Sequence, residues 1–398
     1  MRQRQRQDAR HHHGPRHHQG PLYESDRGLI GTAAHIHSSE DARRIAKRKL
    51  PWMVFDYIDG AAGYETGAAR HRAALDAVTL PTRILRDVSQ RDLSTKLFGV
   101  ETAVPFGIAP MGMCNLSGPG ADLMLARLAA KYRVPHGVST VASTPMEKIL
   151  EVSEGHAWFQ LYFSGDGVGT FKLVERAKTA GYQTLVLTVD VPEVGRRPRE
   201  LRHGFKMPFR IGPKQFADFA LHPVWSISSL LAGKPDMANF HMDGFEFDRT
   251  ESRAKADWDT LRRLRDAWPG NLVVKGVLNV EDAVALKAAD VDAVQVSSHG
   301  ARQLESVPTP IDVVRPMREA LGPDFPLLFD SGLRSGEDVL KVMSEGADFA
   351  FFGRPLQFAI AAAGEKGLAA LWDVLTDEMS IAMAQMGVTK VWDVRRSG

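Results

Sequence analysis

The sequence predicts an α/β protein, a TIM (β/α)8 barrel with an N-terminal helical extension and a long loop after its fourth strand. Three observations carry that expectation. Past Pro105, short apolar runs alternate with helix-patterned segments, and eight such runs can be counted. The runs are apolar almost throughout, as strands covered on both faces must be. Glycine, charged and hydroxyl residues collect at their C-terminal ends, where barrels of this kind build their active sites.

Taken in order, residues 1–35 are basic, His-rich and poor in apolar side chains, so they read as a disordered tail. Its histidines would give only incidental metal affinity. A helical section follows over 36–104. Ser38 or Ser39 can cap a helix that runs to about Lys49, and a second is expected from Pro51 to Ile58, stopping at Gly60. The barrel is expected over 105–390. Its strands are read at Phe106–Met111, Val134–Ser139, Trp158–Phe163, Thr184–Asp190, Leu272–Val277, Ala293–Ser298, Leu327–Ser331 and Phe349–Gly353. Helical patterns fall between them, among them Ala121–Tyr132, Met146–Ser153, Phe171–Ala180, Glu281–Ala289, Ile311–Leu321 and Gly336–Glu345. One interval breaks the rhythm: the insertion 191–256, about 65 residues, is too long for an ordinary connection.

Composition narrows the function. A net charge of +2 gives no reason to expect nucleic acid as a partner. Cys114 is the only cysteine, which excludes an internal disulfide and a cysteine-based metal site. With no apolar h-region and no run of the ~20 apolar residues a spanning helix needs, the expected location is cytoplasmic. No His/Asp/Glu spacing suggests a metal centre.

The richest stretch is Ser297 to Gln303, at the end of the sixth strand. His299 can move a proton near neutral pH, and Arg302, three residues on, can grip a carboxylate through two parallel hydrogen bonds. The other strand ends supply Pro110-Met111-Gly112, Ser139, Gln160 and Tyr162, Thr188 and Asp190 followed by Arg197, and Lys275. The last two ends, Asp330-Ser331-Gly332-Leu333-Arg334 and Gly353-Arg354, suit a phosphate, because their glycines let backbone amides approach and their arginines supply charge. A nicotinamide site is disfavoured. In Gly165-x-Gly167-x-Gly169 the third glycine comes one place early, with Thr170 where the fingerprint needs it.

These segments resemble the FMN-dependent L-2-hydroxy-acid oxidases and dehydrogenases over about residues 38 to 390. The matching motifs are LPWMVFDYIDGAAGYET, PFGIAPMG, WFQLY, TLVLTVDVPEVGRRPRELRHGF, VVKGV, VSSHGARQLE, DSGLRSGEDVLK and FFGRP. Within the family, LHPVWSISSLLAGKPDMANF looks most like bacterial mandelate and quinone-linked lactate dehydrogenases. The resemblance implies FMN as cofactor and oxidation of a 2-hydroxy acid to the 2-keto acid. It implies His299 as the base, Asp190 as its partner, Arg302 and Arg197 as carboxylate ligands, and Tyr162 at the substrate hydroxyl. Lys275 is implied beside the flavin N1/O2 edge. Pro110, Met111, Gly112, Ser139, Gln160 and Thr188 would cradle the ring, and Asp330, Gly332, Arg334, Gly353 and Arg354 would hold ribityl and phosphate. A homotetramer, oxygen or quinone as electron acceptor, and peripheral membrane contact through 221–240 are implied as well.

Three departures stand out. Ser298 replaces the family's usual Asn, and Glu305 its usual Asp. Counting back from Leu50-Pro51, the carboxylate-binding tyrosine falls on Ala42, which would enlarge the pocket and favour an aromatic acid such as mandelate. Two other readings are a phosphate-ligand barrel with isomerase or aldolase chemistry, and a flavin-binding barrel without turnover.

Overall fold

The computed structural model describes residues 32–205, 211–233, 237–242 and 253–396. The tail expected over 1–35 lies outside the described residues except for Thr32–His35, a single 3-10 turn. Helix α1 (Ser39–Lys49) starts where Ser38 accepts a hydrogen bond from Asp41 N. Glu40 and Asp41 sit in its first turn and Lys47, Arg48 and Lys49 in its last, complementing the helix dipole. Pro51 then resets the chain into α2 (Trp52–Asp59), whose first amides, from Trp52 and Met53, bond to the buried carboxylate of Asp218 in the insertion. Helix α3 (Thr66–Ala77) and a hairpin, β1 (Thr95–Leu97) with β2 (Val100–Thr102), complete the section and were not expected from the sequence. The hairpin turns on Phe98 and Gly99, both at positive φ, as a two-residue turn that matches strand twist requires.

Eight parallel strands then close into a barrel: β3 (Phe106–Met111), β4 (His136–Val138), β5 (Ala157–Tyr162), β6 (Thr184–Thr188), β7 (Asn271–Val277), β8 (Ala293–Val296), β9 (Leu327–Asp330) and β10 (Phe349–Phe352). The last strand pairs back on the first, Ala350 beside Phe106. The sequence started the second barrel strand at Val134. The ladder begins at His136, since Pro135 has no amide to give. Side chains from alternate positions, including Ala109, Trp158, Val186, Val273, Leu328 and Phe351, form one buried cluster that fills the barrel. Register then fixes the mouth. Tyr162 pairs with Thr188, Thr188 with Lys275 and Lys275 with Gln295, so four polar side chains share one level near the C-terminal rim.

Helices α4 (Ala121–Tyr132), α5 (Met146–Val152) and α6 (Val168–Ala180) follow the first three barrel strands. The insertion is largely helical, with α7 (Pro198–Arg202), α8 (Pro213–Leu221) and α9 (Pro223–Ala232). Trp225 ties α9 to the barrel by donating to the Leu116 carbonyl at 2.8 Å. Helices α10 (Trp258–Ala267), α11 (Val280–Ala288), α12 (Pro310–Leu321), α13 (Gly336–Ser344) and α14 (Arg354–Met386) complete the ring, the last bent at Ala363 and Gly364.

Helix α1 lies along α14, and Ala42 is fully buried in the core between them. It therefore lines no part of the cavity at the barrel mouth, and the enlarged pocket expected from Ala42 does not exist. Ala42→Tyr should overpack this contact, lowering stability by about 1–3 kcal/mol in thermal denaturation, and should not retune substrate choice.

Candidate active site

A cavity of about 500 Å³ opens at the C-terminal rim of the barrel. It brings together side chains from the ends of β3, β5, β7, β9 and β10, the turn after β8 and the insertion. Pro110, Met111, Gly112, Tyr162, Arg197 and Lys275 line it, as do His299, Arg302, Asp330, Gly332, Arg334, Gly353 and Arg354. Ser139, Gln160, Thr188 and Asp190 stand just behind this wall. Ser139 Oγ donates to Gln160 Oε1 at 3.3 Å, and Asp190 is bonded to His299.

The turn after β8 is held in an unusual shape. His299, Gly300 and Ala301 all have positive φ, at 54°, 65° and 59°. Such a run costs conformational energy and persists only where its surroundings enforce it. Three serines do so. Ser297 Oγ accepts from His299 N, Ser331 Oγ accepts from Ser298 N and Gly300 N, and Ser298 Oγ accepts from Ala301 N. Ser298 Oγ also lies 3.1 Å from the Nδ1 of buried His71. At Gly300 a Cβ would sit 2.5 Å from the Arg354 guanidinium, which crosses the turn there and donates to the Gly300 carbonyl.

The turn aims His299 into the cavity. Its Nδ1 is 3.0 Å from Asp190 Oδ1, and its Nε2 is 3.4 Å from the Tyr162 hydroxyl. With Nδ1 protonated toward Asp190, Nε2 carries the lone pair that faces the cavity. Burial lowers the His299 pKa and Asp190 only partly opposes that, so the surroundings favour the neutral imidazole. Burial also disfavours the Asp190 anion, but His299 and Lys275 outweigh it and hold the carboxyl below its usual range. Lys275 donates to Ser297 Oγ at 2.7 Å and pairs with Asp330 at 3.1 Å. Burial works against its ammonium, yet Asp330 and Asp190 raise its pKa on balance.

Two residues absent from the sequence reading join the cavity. Glu200 bridges both arginines, accepting from Arg302 Nη2 at 2.8 Å and from Arg197 Nη1 at 3.0 Å. Tyr57, on α2, stacks on Phe205 at 4.3 Å and sends its hydroxyl to the Gly112 carbonyl. Arg302 donates to the carbonyls of Tyr57 and Gly60 and lies over the Tyr57 ring. A tyrosine is therefore present beside the arginines, on α2 rather than at Ala42 of α1. The signal for it stood in the segment Val-Phe-Asp-Tyr-Ile-Asp-Gly, a hydroxyl one turn before a glycine stop.

The family model for FMN-dependent dehydrogenases matches residues 46–398. This chain belongs to that family. It is 34% identical over 372 residues to an L-lactate dehydrogenase of Pseudomonas syringae pv. syringae, covering 91% of this chain and 98% of the relative. It is 35% identical over 361 residues to the (S)-mandelate dehydrogenase of Pseudomonas putida, covering 89% and 91%. Among solved structures it is similar to the monotopic membrane protein (S)-mandelate dehydrogenase, with a TM-score of 0.85 and 34% identity over 90% of this chain and 97% of that one. A mandelate oxidase with benzoyl-formic acid gives a TM-score of 0.78 at 34% identity, covering 90% and 97%.

The cavity of this FMN-dependent dehydrogenase fits its cofactor. Buried Gln160 Nε2 and Thr188 Oγ1 have no hydrogen-bond partner among the described residues, which is costly unless a polar ligand meets them. Arg334 and Arg354 sit on the wall with no carboxylate in ion-pair range among the described residues, and burial with mutual repulsion brings the Arg354 pKa down to about 9. Both features suit a polar ring and an anionic phosphate. No cluster of three metal-ligating side chains occurs among the described residues. Electrostatics predict that His299 titrates below the usual imidazole range, and that Asp190→Asn lowers it further, because the carboxylate favours the imidazolium. Imidazole NMR signals followed against pH measure both.

Proposed function

We propose that this dehydrogenase oxidises an L-2-hydroxy acid to the 2-keto acid, with His299 as the base that takes the hydroxyl proton on Nε2. The His299–Asp190 pair, facing a cavity beside two arginines that share one carboxylate, carries the reading. Arg302 and Arg197 hold the substrate carboxylate, and Tyr57 offers it a hydroxyl. Tyr162 steers the substrate hydroxyl toward His299, and Asp190 stabilises the imidazolium that results. Bound FMN would accept the C2 hydrogen together with its electron pair as C2 becomes a carbonyl, so the two hydrogens lost go one to His299 and one to the cofactor. Lys275 would place its charge by the flavin N1/O2 edge. Pro110, Met111, Gly112, Ser139, Gln160 and Thr188 would meet the ring, and Asp330, Gly332, Arg334, Gly353 and Arg354 would hold ribityl and phosphate. With Tyr57 beside the arginines, a small acid is as acceptable on these grounds as mandelate. A homotetramer, implied by the family resemblance, belongs to the same reading.

His299→Gln should retain FMN, seen in its absorbance, yet slow anaerobic bleaching by a reducing 2-hydroxy acid at least ~10²-fold. Near-normal bleaching would remove His299 from this role.

The electron acceptor we propose is a membrane quinone, reached where α8 and α9 rest on a lipid surface at the inner face of the cell membrane. Leu221, Val224, Leu230 and Leu231 expose 68%, 83%, 82% and 83% of their surface there, an apolar face of the kind that marks a contact. No helix among the described residues is long and apolar enough to cross a membrane, so the contact would be peripheral. The purified protein should float with anionic liposomes, and Val224→Glu with Leu231→Glu should abolish flotation and slow quinone reduction while sparing a soluble dye acceptor. Failure to float rejects the contact.

A further inference from the structure

Most cations around the cavity are already matched. Arg197 and Arg302 share Glu200, and Lys275 pairs with Asp330. Three guanidinium groups on the wall, Arg334, Arg354 and Arg253, have no carboxylate in ion-pair range among the described residues. A cofactor phosphate accounts for the first two. Arg253 is left over. It comes from the last part of the insertion, is half-buried, and lies 4.5 Å from the centroid of the Tyr162 ring. Tyr162 in turn reaches His299, so this charge stands at the substrate end of the cavity. Burial raises the Tyr162 pKa, and Arg253 is foremost among the charges that oppose the rise.

We propose that Arg253 binds a second carboxylate at the far end of the substrate, so that this enzyme prefers L-2-hydroxy dicarboxylates to monocarboxylates of the same length. The inference rests on reading the cavity as a 2-hydroxy-acid site. Arg197, Arg302 and Glu200 together leave one net positive charge, the complement of one carboxylate. Arg253 adds a second, held over an aromatic face that favours a cation without neutralising it. Val191, Val194 and Met237 line the same cavity and offer apolar surface to the methylenes between the two acids.

The test compares L-2-hydroxyglutarate with L-2-hydroxyvalerate as reductants of the holoenzyme, and 2-oxoglutarate with 2-oxovalerate as ligands, titrated through the flavin absorbance. The wild type should favour the diacid of each pair by about 10–100-fold, the range expected for one charge-assisted contact. Arg253→Gln should collapse both ratios toward one, and Arg253→Lys should keep most of the preference. Equal binding and turnover of diacid and monoacid by the wild type would overturn the proposal, as would a preference that survives in Arg253→Gln. If no hydroxy acid bleaches the flavin yet 2-oxoglutarate still binds more tightly through Arg253, the oxidation reading fails and the second-carboxylate site stands.

Discussion

Gathering many cations around one small cavity is the constraint on which the rest of this molecule depends. Like charges a few ångströms apart in a poorly hydrated space repel strongly, and each one buried alone is costly. The fold meets the constraint by setting acids at fixed depths. Asp330 lies beneath Lys275, Asp190 behind His299, and Glu200 between the two arginines of the insertion and the β8 turn. Farther out, Arg199 meets Asp56, Asp59 and Glu65, and Arg43 bonds to Asp59 through two nitrogens. Burial alone would raise the Asp59 pKa, but Arg43 and Arg199 bring it down to about 2. α2, α3 and the insertion are thereby drawn onto the rim by the same charges that make the site usable.

The barrel was legible in the sequence because its strands are apolar on both faces, a pattern that depends on burial alone. All eight appear close to where the apolar runs lie, with small errors at ends such as Val134 and Ser139, which reflect ladder pairing rather than hydropathy. Elements fixed by long-range contacts were harder to see. α3 has weak amphipathic character and is held through partners such as Asp338, which takes two bonds from Arg72. The short hairpin is too brief for a periodic signal.

The site was legible to a similar degree and for a similar reason. Residues at strand ends converge because barrel geometry makes them converge, and the strand-end residues named from the sequence do line or back the cavity. Residues brought in by helices outside the barrel could not be placed that way. Ala42 and Tyr57 sit on successive helices, one against α14 and one against Arg302, and only the packing separates them. Glu200 belongs to a charged run, Arg196 to Arg202, that would ordinarily be solvated. Its role between two arginines appears only once the insertion is folded over the rim.

That shared carboxylate has a consequence for recognition. A pocket that carries its own anion does not wait for one. On the proposed reading a substrate acid would share Arg197 and Arg302 with Glu200, so its entry would redistribute hydrogen bonds already made rather than meet bare charge. Glu200 would thereby offset one of the two arginine charges and weaken the pull of this pair on passing anions. Chloride or acetate, with nothing else to offer the cavity, would gain little from that exchange. An acid that also presented a hydroxyl to His299 would gain what the internal carboxylate cannot supply, and on the proposed reading selectivity would lie in that difference.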